Sequence, residues 1–134
     1  DCNTYVYVWK KNPIASKSSV SLQELEKYPC LTFDQGKTNS FYFAEEVFST
    51  YEYKQTIQVD DRASMLNLMV GLNGYTLCSG IICEELNGSD YAAVPLKETE
   101  VMTIGYVKRK SIQLSELAQL YVNELAKYKN LVLK

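Results

Sequence analysis

Aromatic and β-branched residues alternate at the start of the chain, over Thr4–Trp9, and this pattern predicts a strand. Shorter apolar segments predict further strands over 30–33, 54–59, 75–78 and 91–95, and a longer alternating segment predicts one over 101–107. Residues that favour turns, mainly Gly, Asn, Asp and Pro, separate these segments. The pattern therefore predicts a sheet of short strands.

Helical patterns alternate with these strands. Ser21 and Glu24 form a capping box, which predicts a short helix that ends before Pro29. Apolar spacing predicts a helix over 39–50, a short one over 80–86 and a last one that begins at Ser115. Another helix is capped by Asp60 or Asp61. The predicted buried face of that helix consists of Met65, Leu68, Met69 and Leu72.

The order of these elements predicts the fold class. After Pro29 the order is strand, helix, strand, helix, strand, and such alternation is typical of parallel strands joined by crossover helices. Thr4–Lys11 and Met102–Arg109 are both alternating segments that end in basic residues, and they bracket this unit. We therefore expect an α/β fold with a mostly parallel central sheet, entered and left through two hinge strands.

Composition narrows the classes of function. The 134 residues are 46% hydrophobic and 22% charged, which is typical of one globular domain, or of one lobe with pieces of a second. The net charge is −2, and the basic groups Lys10-Lys11 and Lys108-Arg109-Lys110 are too short for a nucleic-acid footprint. No stretch approaches the roughly 20 apolar residues that span a bilayer. We expect neither DNA nor a membrane as a direct partner of this segment.

The sequence gives little support for catalytic or metal-binding chemistry. The chain has no histidine, which removes the commonest general base. Its four cysteines lack the paired spacing of a zinc site, and we interpret them as buried small hydrophobes in a reducing cytosol. The sequence therefore predicts a protein that is not an enzyme and has no catalytic residue, metal or cofactor.

An ordered series of segments resembles the effector domain of LysR-type transcriptional regulators, whose fold is that of type 2 periplasmic binding proteins. The segments that carry the resemblance are Val6-Tyr7-Val8, Asn12-Pro13-Ile14-Ala15, Val20–Leu25 with Tyr28-Pro29, Met69–Gly74, Val94-Pro95-Leu96, Ile104–Val107 and the terminal helix. The chain departs from the family pattern at Asn12, where the family has histidine, and at Leu72, where it has its first glycine.

The resemblance implies a three-layer lobe and a part of another. Residues 1–9 would be a hinge strand from lobe 1, residues 10–101 the regulatory lobe 2, and residues 102–134 the return strand and C-terminal helix of lobe 1. The front of lobe 1 and a DNA-binding helix-turn-helix would precede Asp1. The family further implies a cytoplasmic homodimer that senses a small-molecule effector in the cleft between lobes.

The loop after the second strand is the first candidate binding segment. Gly36 lets the backbone pass close to a ligand, and Thr38 offers a hydroxyl beside helix amides that suit an anion. The resemblance implies that Thr38 contacts the effector, while plain helix capping explains it equally well. Gln35, Lys37 and Asn39 could add hydrogen bonds or neutralise an anion, or simply form a surface loop.

Asp60 and Asp61 form the second candidate segment, since they follow the next strand of the same predicted edge. One of them is expected to cap the following helix. A carboxylate that faced the cleft would favour an amino or guanidino group, so an amino-acid-like effector would suit Thr38 and Asp60 together. An anionic metabolite is the simpler expectation from the loop alone.

Two other functions fit the same fold class. A solute-binding protein of a transport system would share the scaffold, and a leader peptide upstream would favour it over a regulator. An enzyme on this scaffold would need a carboxylate pair such as Asp60 with Glu84 or Asp61 with Glu45, and these residues lie on different predicted elements. The sequence favours the regulator.

Overall fold

A computed structural model describes residues 2–34, 52–98 and 101–128 of the chain. The helix predicted over 39–50 lies outside these residues. The strands are β1 Cys2–Asn3, β2 Tyr5–Trp9, β3 Cys30–Phe33, β4 Thr56–Val59, β5 Tyr75–Cys78, β6 Tyr91–Pro95 and β7 Val101–Met102. The helices are α1 Leu22–Leu25, α2 Arg62–Gly71, α3 Glu84–Asn87 and α4 Glu116–Tyr128, and Pro13–Ser16 forms a 3-10 turn.

Five strands form one mixed sheet in the order β4-β3-β5-β2-β6. β3 is parallel to β4 and β5, whereas β2 is antiparallel to β5 and β6. Four of the five strands therefore run in one direction, and the prediction of a mostly parallel α/β sheet is confirmed. The reversed strand is β2, which the sequence assigned to a hinge over residues 1–9. Its full pairing on both sides makes it an internal strand of the sheet.

Among the described residues, two short strands also pair outside this sheet. Cys2 pairs with Met102 and Asn3 with Val101, in antiparallel register. Residues 2–3, before the sheet, and residues 101–102, after it, are thus neighbours. The prediction of a strand through Val107 is wrong, because β7 ends at Met102 where its two-residue partner also ends. Residues 103–107 are exposed.

One face of the sheet is covered by the 3-10 turn and α1. Because side chains alternate between faces along a strand, Val6 and Val8 of β2 point to the same side, and both are fully buried there. Ile14 and Leu25 pack against them from the covering layer. The predicted capping box is present: the Ser21 N–H donates to Glu24, and the Glu24 N–H donates to the Ser21 hydroxyl.

The opposite face is covered by α2. Met65 and Met69 are 3% and 0% exposed and pack on Tyr7, Leu31 and Val59 of the strands. Each buried methionine side chain contributes about 1.5–3 kcal/mol of transfer free energy. The predicted buried face of α2 is correct at these two methionines and wrong at its end, because Leu72 lies past the last turn of the helix and is 47% exposed.

The last described segment, residues 103–128, differs from the sheet unit because most of its large apolar side chains are exposed. Ser115 caps α4 as predicted, its hydroxyl accepting from the Ala118 N–H at 3.3 Å. The apolar stripe of α4 is exposed, with Leu117 at 78% and Leu125 at 49%. Large apolar side chains of the preceding stretch, such as Ile104 and Val107, are exposed as well.

The four cysteines are thiols and differ in their surroundings. Cys30 is buried in the core as expected. The interpretation as a buried small hydrophobe is wrong for Cys83, which is exposed and donates from Sγ to Glu85 Oε2 at 3.3 Å.

Candidate functional site

The carboxyl ends of β3 and β4 lie next to each other. Phe33 is paired with Val59, and the Asp34 N–H donates to the Val59 carbonyl oxygen at 2.9 Å. Because both strands run in the same direction, the turns that follow them begin at one edge of the sheet. The sequence-based prediction assigned its candidate binding residues to this edge.

Two of the seven candidate residues are described, and they differ in role. Asp61 is the N-cap of α2, and its Oδ1 accepts from the Ser64 N–H at 2.9 Å. The hydrogen bonds from Ser64 hold the pKa of the Asp61 carboxyl below its usual value. Asp60 is exposed beside it at the end of β4. The structure thus gives the predicted cap to Asp61 and leaves Asp60 at the edge.

The other five candidates are Gln35, Gly36, Lys37, Thr38 and Asn39, which lie outside the described residues. Their assignment as ligand-binding residues stays a prediction. Asp34 immediately precedes them and is held at the edge by its backbone hydrogen bond to β4. Asp34 itself is therefore fixed at the carboxyl end of the sheet.

A pocket of about 260 Å³ lies against this end of the sheet, on the face covered by α2. The strands contribute Tyr7, Phe33, Thr76, Leu77 and Cys78 to its lining. The pocket is somewhat smaller than the sites that hold drug-sized ligands, which occupy about 300–1,000 Å³. Its size suits a small metabolite.

α2 and the connection after β5 supply the remaining described walls of the pocket. Arg62, Met65 and Leu66 come from the first turns of the helix. Ser79, Ile81 and Asn87 come from the connection and from α3. The lining thus combines apolar side chains with one guanidinium group and several hydrogen-bonding groups, as is typical of small-molecule sites.

Tyr7 lines the pocket, and its hydroxyl oxygen is buried away from solvent. The residue is 7% exposed, and its Oη has no hydrogen-bond partner among the described residues. Burial raises the pKa of the Tyr7 phenol, and the positive charge of Arg62 acts in the opposite direction. Leaving such a group unpaired costs about 1–3 kcal/mol.

Tyr91 holds the Tyr7 ring in position. The two rings stack with centroids 5.3 Å apart and planes inclined by 18°. The Tyr91 hydroxyl donates to the Leu66 carbonyl oxygen at 3.3 Å and so ties β6 to α2. Of the two phenols, only that of Tyr7 lines the pocket.

Asn87 is the second residue of the lining with an unsatisfied atom. Its Oδ1 is buried and has no hydrogen-bond partner within the described ranges. Asn87 ends α3, and Gly88 follows with φ of 75° and donates its N–H to the Glu84 carbonyl oxygen. An amide oxygen can only accept a hydrogen bond, so this buried atom costs stability while it lacks a donor.

Gly80 fixes the path of the connection beside the pocket. Its φ is 79°, and a Cβ there would lie 2.5 Å from Cδ2 of Tyr5. The Tyr5 ring therefore lies directly over the glycine, which only a residue without a side chain allows. The preceding Cys78 Sγ accepts from the Gly80 N–H at 3.3 Å, so the turn after β5 is tightly defined.

Sequence reasoning missed Tyr7, Arg62 and Asn87. The alternation along β2 does place Tyr7 on one face with Tyr5 and Trp9. The alternation does not show on which face of the sheet a pocket lies, because this depends on how much of the sheet α2 covers. Asn87 was interpreted only as part of a turn.

The described part of the chain shows neither a cluster of metal ligands nor an activated thiol in the pocket. No group of three or more potential metal ligands occurs in that part. Burial raises the pKa of the Cys78 thiol, so this pocket thiol is protonated at neutral pH and is a poor nucleophile. Among the helices that the structure describes, none is long and apolar enough to cross a bilayer.

Known structures with the same fold are regulators. The chain is similar to HinK, a LysR family transcriptional regulator from Pseudomonas aeruginosa, with 20% identity and a TM-score of 0.64 over 94% of this chain and 44% of HinK. It is also similar to a putative LysR family regulator, the PA01 protein of Pseudomonas aeruginosa, with 18% identity and a TM-score of 0.65 over 96% of this chain and 46% of that one. The chain thus spans less than half the length of both.

Two separate effector domains give the same fold. The effector-binding domain of QuiR in complex with shikimate matches with 15% identity and a TM-score of 0.55, over 96% of this chain and 62% of that one. The regulatory domain of Synechocystis CcmR in complex with 2-PG matches with 14% identity and a TM-score of 0.53, over 96% and 64%.

Sequence comparison is consistent with these structures. A search of curated proteins finds no match to the chain. The family model for the LysR substrate binding domain, however, matches residues 3–129, which is nearly the whole sequence. The chain therefore belongs to the LysR substrate-binding domain family.

Proposed function

We propose that this chain is the effector-sensing part of a LysR-type transcriptional regulator and senses a small metabolite. The observation that carries the proposal is the pocket of about 260 Å³ at the carboxyl end of the sheet, within a chain that matches the LysR substrate binding domain. In open α/β sheets, ligands bind at this end. A sensor of this kind acts by binding and needs no catalytic group.

The ligands of two relatives support a small-molecule effector. Their structures contain shikimate and 2-PG, each in complex with an effector-binding or regulatory domain. These ligands belong to the two relatives and are not assigned to this chain. For the effector of this chain, we propose that it is contacted by the residues that directly follow Asp34, namely Gln35, Gly36, Lys37, Thr38 and Asn39. The support is that Asp34 itself is bonded to β4 at the carboxyl end of the sheet.

Asp60 is proposed to contact the effector, and Asp61 to position Asp60. Asp61 is committed to the helix cap, whereas the Asp60 carboxylate is exposed at the same edge. An effector with a carboxylate for Thr38 and an amino group for Asp60 would be amino-acid-like. A purely anionic effector would be repelled by Asp60.

The two-lobe arrangement is also a proposal. β1 and β7 are paired side by side and would connect lobe 2 to lobe 1. The exposed apolar stripe of α4, which includes Leu117 and Leu125, would be covered by lobe 1 or by a second copy in a homodimer. DNA would be contacted by a helix-turn-helix upstream of Asp1, in the cytoplasm. Ligand binding would shift the equilibrium between two lobe arrangements by its different affinity for each.

The test uses the complete product of the reading frame that contains residues 1–134. Genomic DNA fragments retained by this protein are selected, and their affinity is measured with small acids and amino acids added singly. We expect specific fragments to be retained, and one metabolite to change their affinity by about five-fold or more. Asp60→Asn should alter the ranking of amino acids against plain acids, whereas Lys10→Gln, an exposed control, should leave it unchanged. A complete product without affinity for DNA would overturn the proposal.

A further inference from the structure

We propose that Asn87 is a site of spontaneous covalent modification, at which its side-chain amide is converted to aspartate and isoaspartate through a cyclic imide. Asparagine followed by glycine favours this reaction, because a residue without a side chain leaves its backbone nitrogen free to approach. The chain contains two such pairs, Asn73-Gly74 and Asn87-Gly88. Their sequences do not distinguish them, whereas their surroundings do. The reaction needs neither an enzyme nor an effector, so the inference does not depend on the proposed function.

The reaction is an intramolecular acyl transfer. The Gly88 backbone nitrogen gives its proton to a hydroxide ion and attacks Cγ of Asn87, so that a C–N bond forms. The bond between Cγ and Nδ2 breaks, and ammonia leaves after taking a proton from water, which restores the hydroxide. Water then opens the imide at Cγ to give aspartate, or at the backbone carbonyl carbon to give isoaspartate. Water is consumed and ammonia is released, and no electrons are exchanged with another reactant.

The helix that carries Asn87 is weakly held. α3 has only four residues, and Cys83 at its N-cap makes no side-chain cap. Residues 83–86 are all exposed. Helices this short are marginal in water unless tertiary packing supports them. Such segments open locally at low cost while the rest of the fold stays closed.

The Asn87 side chain gains from this opening. Its Oδ1 is buried without a hydrogen-bond partner among the described residues, and turning the amide out to water removes that penalty. Opening breaks the bond from the Gly88 N–H to the Glu84 carbonyl oxygen, at 2.8 Å, and water replaces it. An added Cβ at Gly88 would meet nothing within 4 Å, so this part of the backbone has space to rearrange. The attacking nitrogen can thus reach Cγ.

The other pair is protected by the core. The Asn73 carbonyl oxygen accepts from Asn12 Nδ2, and the Gly74 N–H donates to the Met69 carbonyl oxygen, both at 3.0 Å. Gly74 is buried, and a Cβ there would lie 3.0 Å from the Pro29 carbonyl oxygen. The imide could form here only if the end of α2 left the sheet. Loss of two hydrogen bonds should slow the reaction at least about ten-fold.

Conversion at Asn87 alters the wall of the pocket. Asn87 lines the pocket together with Ser79 and Ile81. Either product has a carboxylate in place of the buried amide, and burial of a charge without a donor is far less favourable. Isoaspartate also lengthens the backbone by one carbon atom at the end of α3. We therefore expect this end of α3 to shift in the converted chain, so that the pocket changes as the protein ages.

The experiment follows both asparagines in the whole chain at mildly alkaline pH, folded in buffer and unfolded in guanidinium chloride. Samples are digested at intervals and analysed by mass spectrometry, because each conversion raises the peptide mass by one dalton. In denaturant, Asn73 and Asn87 should convert at similar rates, since both precede glycine. In buffer, we expect Asn87 to convert at least about ten-fold faster than Asn73.

Two variants test the structural causes. Gly88→Ala hinders the attacking nitrogen and should slow conversion at Asn87 about ten-fold in buffer and in denaturant. Asn12→Ala removes a bond that holds Asn73 and should speed conversion there about ten-fold, without changing the rate at Asn87. The control is Gly105→Ala, at another exposed glycine with space for a side chain, and it should change neither rate.

The effect on the pocket is measured by NMR on the converted chain, which ion exchange separates through its additional negative charge. The methyl resonances of Ile81, in the pocket lining, should shift. Those of Ile14, on the opposite face of the sheet, should not. An unchanged Ile81 would contradict the expected movement of α3.

Two results would overturn the inference: equal rates at the two asparagines in the folded chain, or an Asn87 amide that persists in buffer while it is lost in denaturant. The first would mean that the contacts of Asn73 give no protection, and the second that α3 does not open. Neither result bears on the proposed function, which is tested by DNA and metabolite binding of the complete protein.

Discussion

Asn12 donates a hydrogen bond from its Nδ2 to the backbone oxygen of Asn73 at 3.0 Å, across 61 residues of sequence. Its Oδ1 accepts from the Ile14 N–H at 2.9 Å, so both ends of the amide are used. Asn73 lies just after α2 with φ of 54°, a left-handed conformation that asparagine tolerates better than most residues. The pair therefore connects the layers on opposite faces of the sheet.

Asn12→Ala is expected to lower the free energy of unfolding by about 2–4 kcal/mol, because the Ile14 N–H and the Asn73 carbonyl oxygen would lose their partners. Urea denaturation measures the change. Asn12→His, which introduces the residue that the family has here, should cost clearly less if its ring keeps one of the two bonds. Equal losses in both variants would show that side-chain volume, and not the amide, matters at this position.

Gly80→Ala is expected to destabilise the chain by about 2–4 kcal/mol, since it adds a contact at 2.5 Å to the Tyr5 ring and a strained left-handed backbone. Gly88→Ala separates these two causes. Gly88 has a φ of 75° and a ψ of 168°, a conformation that is nearly restricted to glycine, but no atom lies within 4 Å of its added Cβ. Only the backbone cost of about 1–3 kcal/mol should therefore remain.

Gly71→Ala completes this series. Gly71 is the last residue of α2, and an added Cβ would meet nothing within 4 Å. The substitution should stabilise the chain by about 0.5–1 kcal/mol, because alanine favours the helix. Thermal unfolding of the three variants gives the comparison, and a Gly80→Ala variant as stable as the wild type would contradict the role assigned to Tyr5.

Asp61→Ala should lower stability by about 1 kcal/mol through loss of the cap at Ser64. Asp60→Ala, the adjacent and exposed carboxylate, should change stability by less than about 0.5 kcal/mol. The free energy of unfolding is measured for both in denaturant. If Asp60→Ala proved the more costly, the assignment of Asp60 to ligand contact would lose its basis.

Glu24 is expected to make the free energy of unfolding depend on pH in the acidic range. Hydrogen bonds from Lys17, from Ser21 and from Lys97 lower the pKa of the Glu24 carboxyl far below the ordinary value of 4.5. Since the ionised form is favoured in the folded state, its contribution is present above pH 4.5 and is lost as the pH falls below it.

The stability difference between the wild type and Glu24→Gln should therefore shrink between about pH 4.5 and the lowest pH at which the chain stays folded. Lys17→Gln should reproduce part of the effect, and added salt should weaken it because the group is exposed. A difference that stayed constant with pH would mean that ionisation of the Glu24 carboxyl contributes nothing to stability.

Local patterns predicted most of the elements correctly. The capping box at Ser21, the cap before α2 and the methionines that face the sheet all depend on residues close in sequence, and the structure contains each of them. The reversal of β2 could not be predicted in this way. Its alternating residues fit a parallel and an antiparallel strand equally well, and only pairing with β5 and β6 decides between them.

The residues that line the pocket were harder to predict from the sequence than the residues at the end of the sheet. Candidate residues were chosen from turns, where Asp60 and Asp61 stand, because such turns follow parallel strands. Tyr7 lies inside a strand, and Asn87 ends a short helix. Their convergence depends on the left-handed turn at Gly80 and on the stacking of Tyr7 with Tyr91, which join residues far apart in the chain.

The adjacent pairing of β1 with β7 has a consequence for how this segment is carried by a longer polypeptide. Because Asn3 is opposite Val101, the sheet unit begins and ends about one strand spacing, ~5 Å, apart. Within a longer chain, such a unit is an insertion whose two ends are adjacent. The pairing of its own ends holds them together, so the surrounding structure need not do so. The polypeptide can thus leave one structure, form this sheet, and resume beside the point of departure.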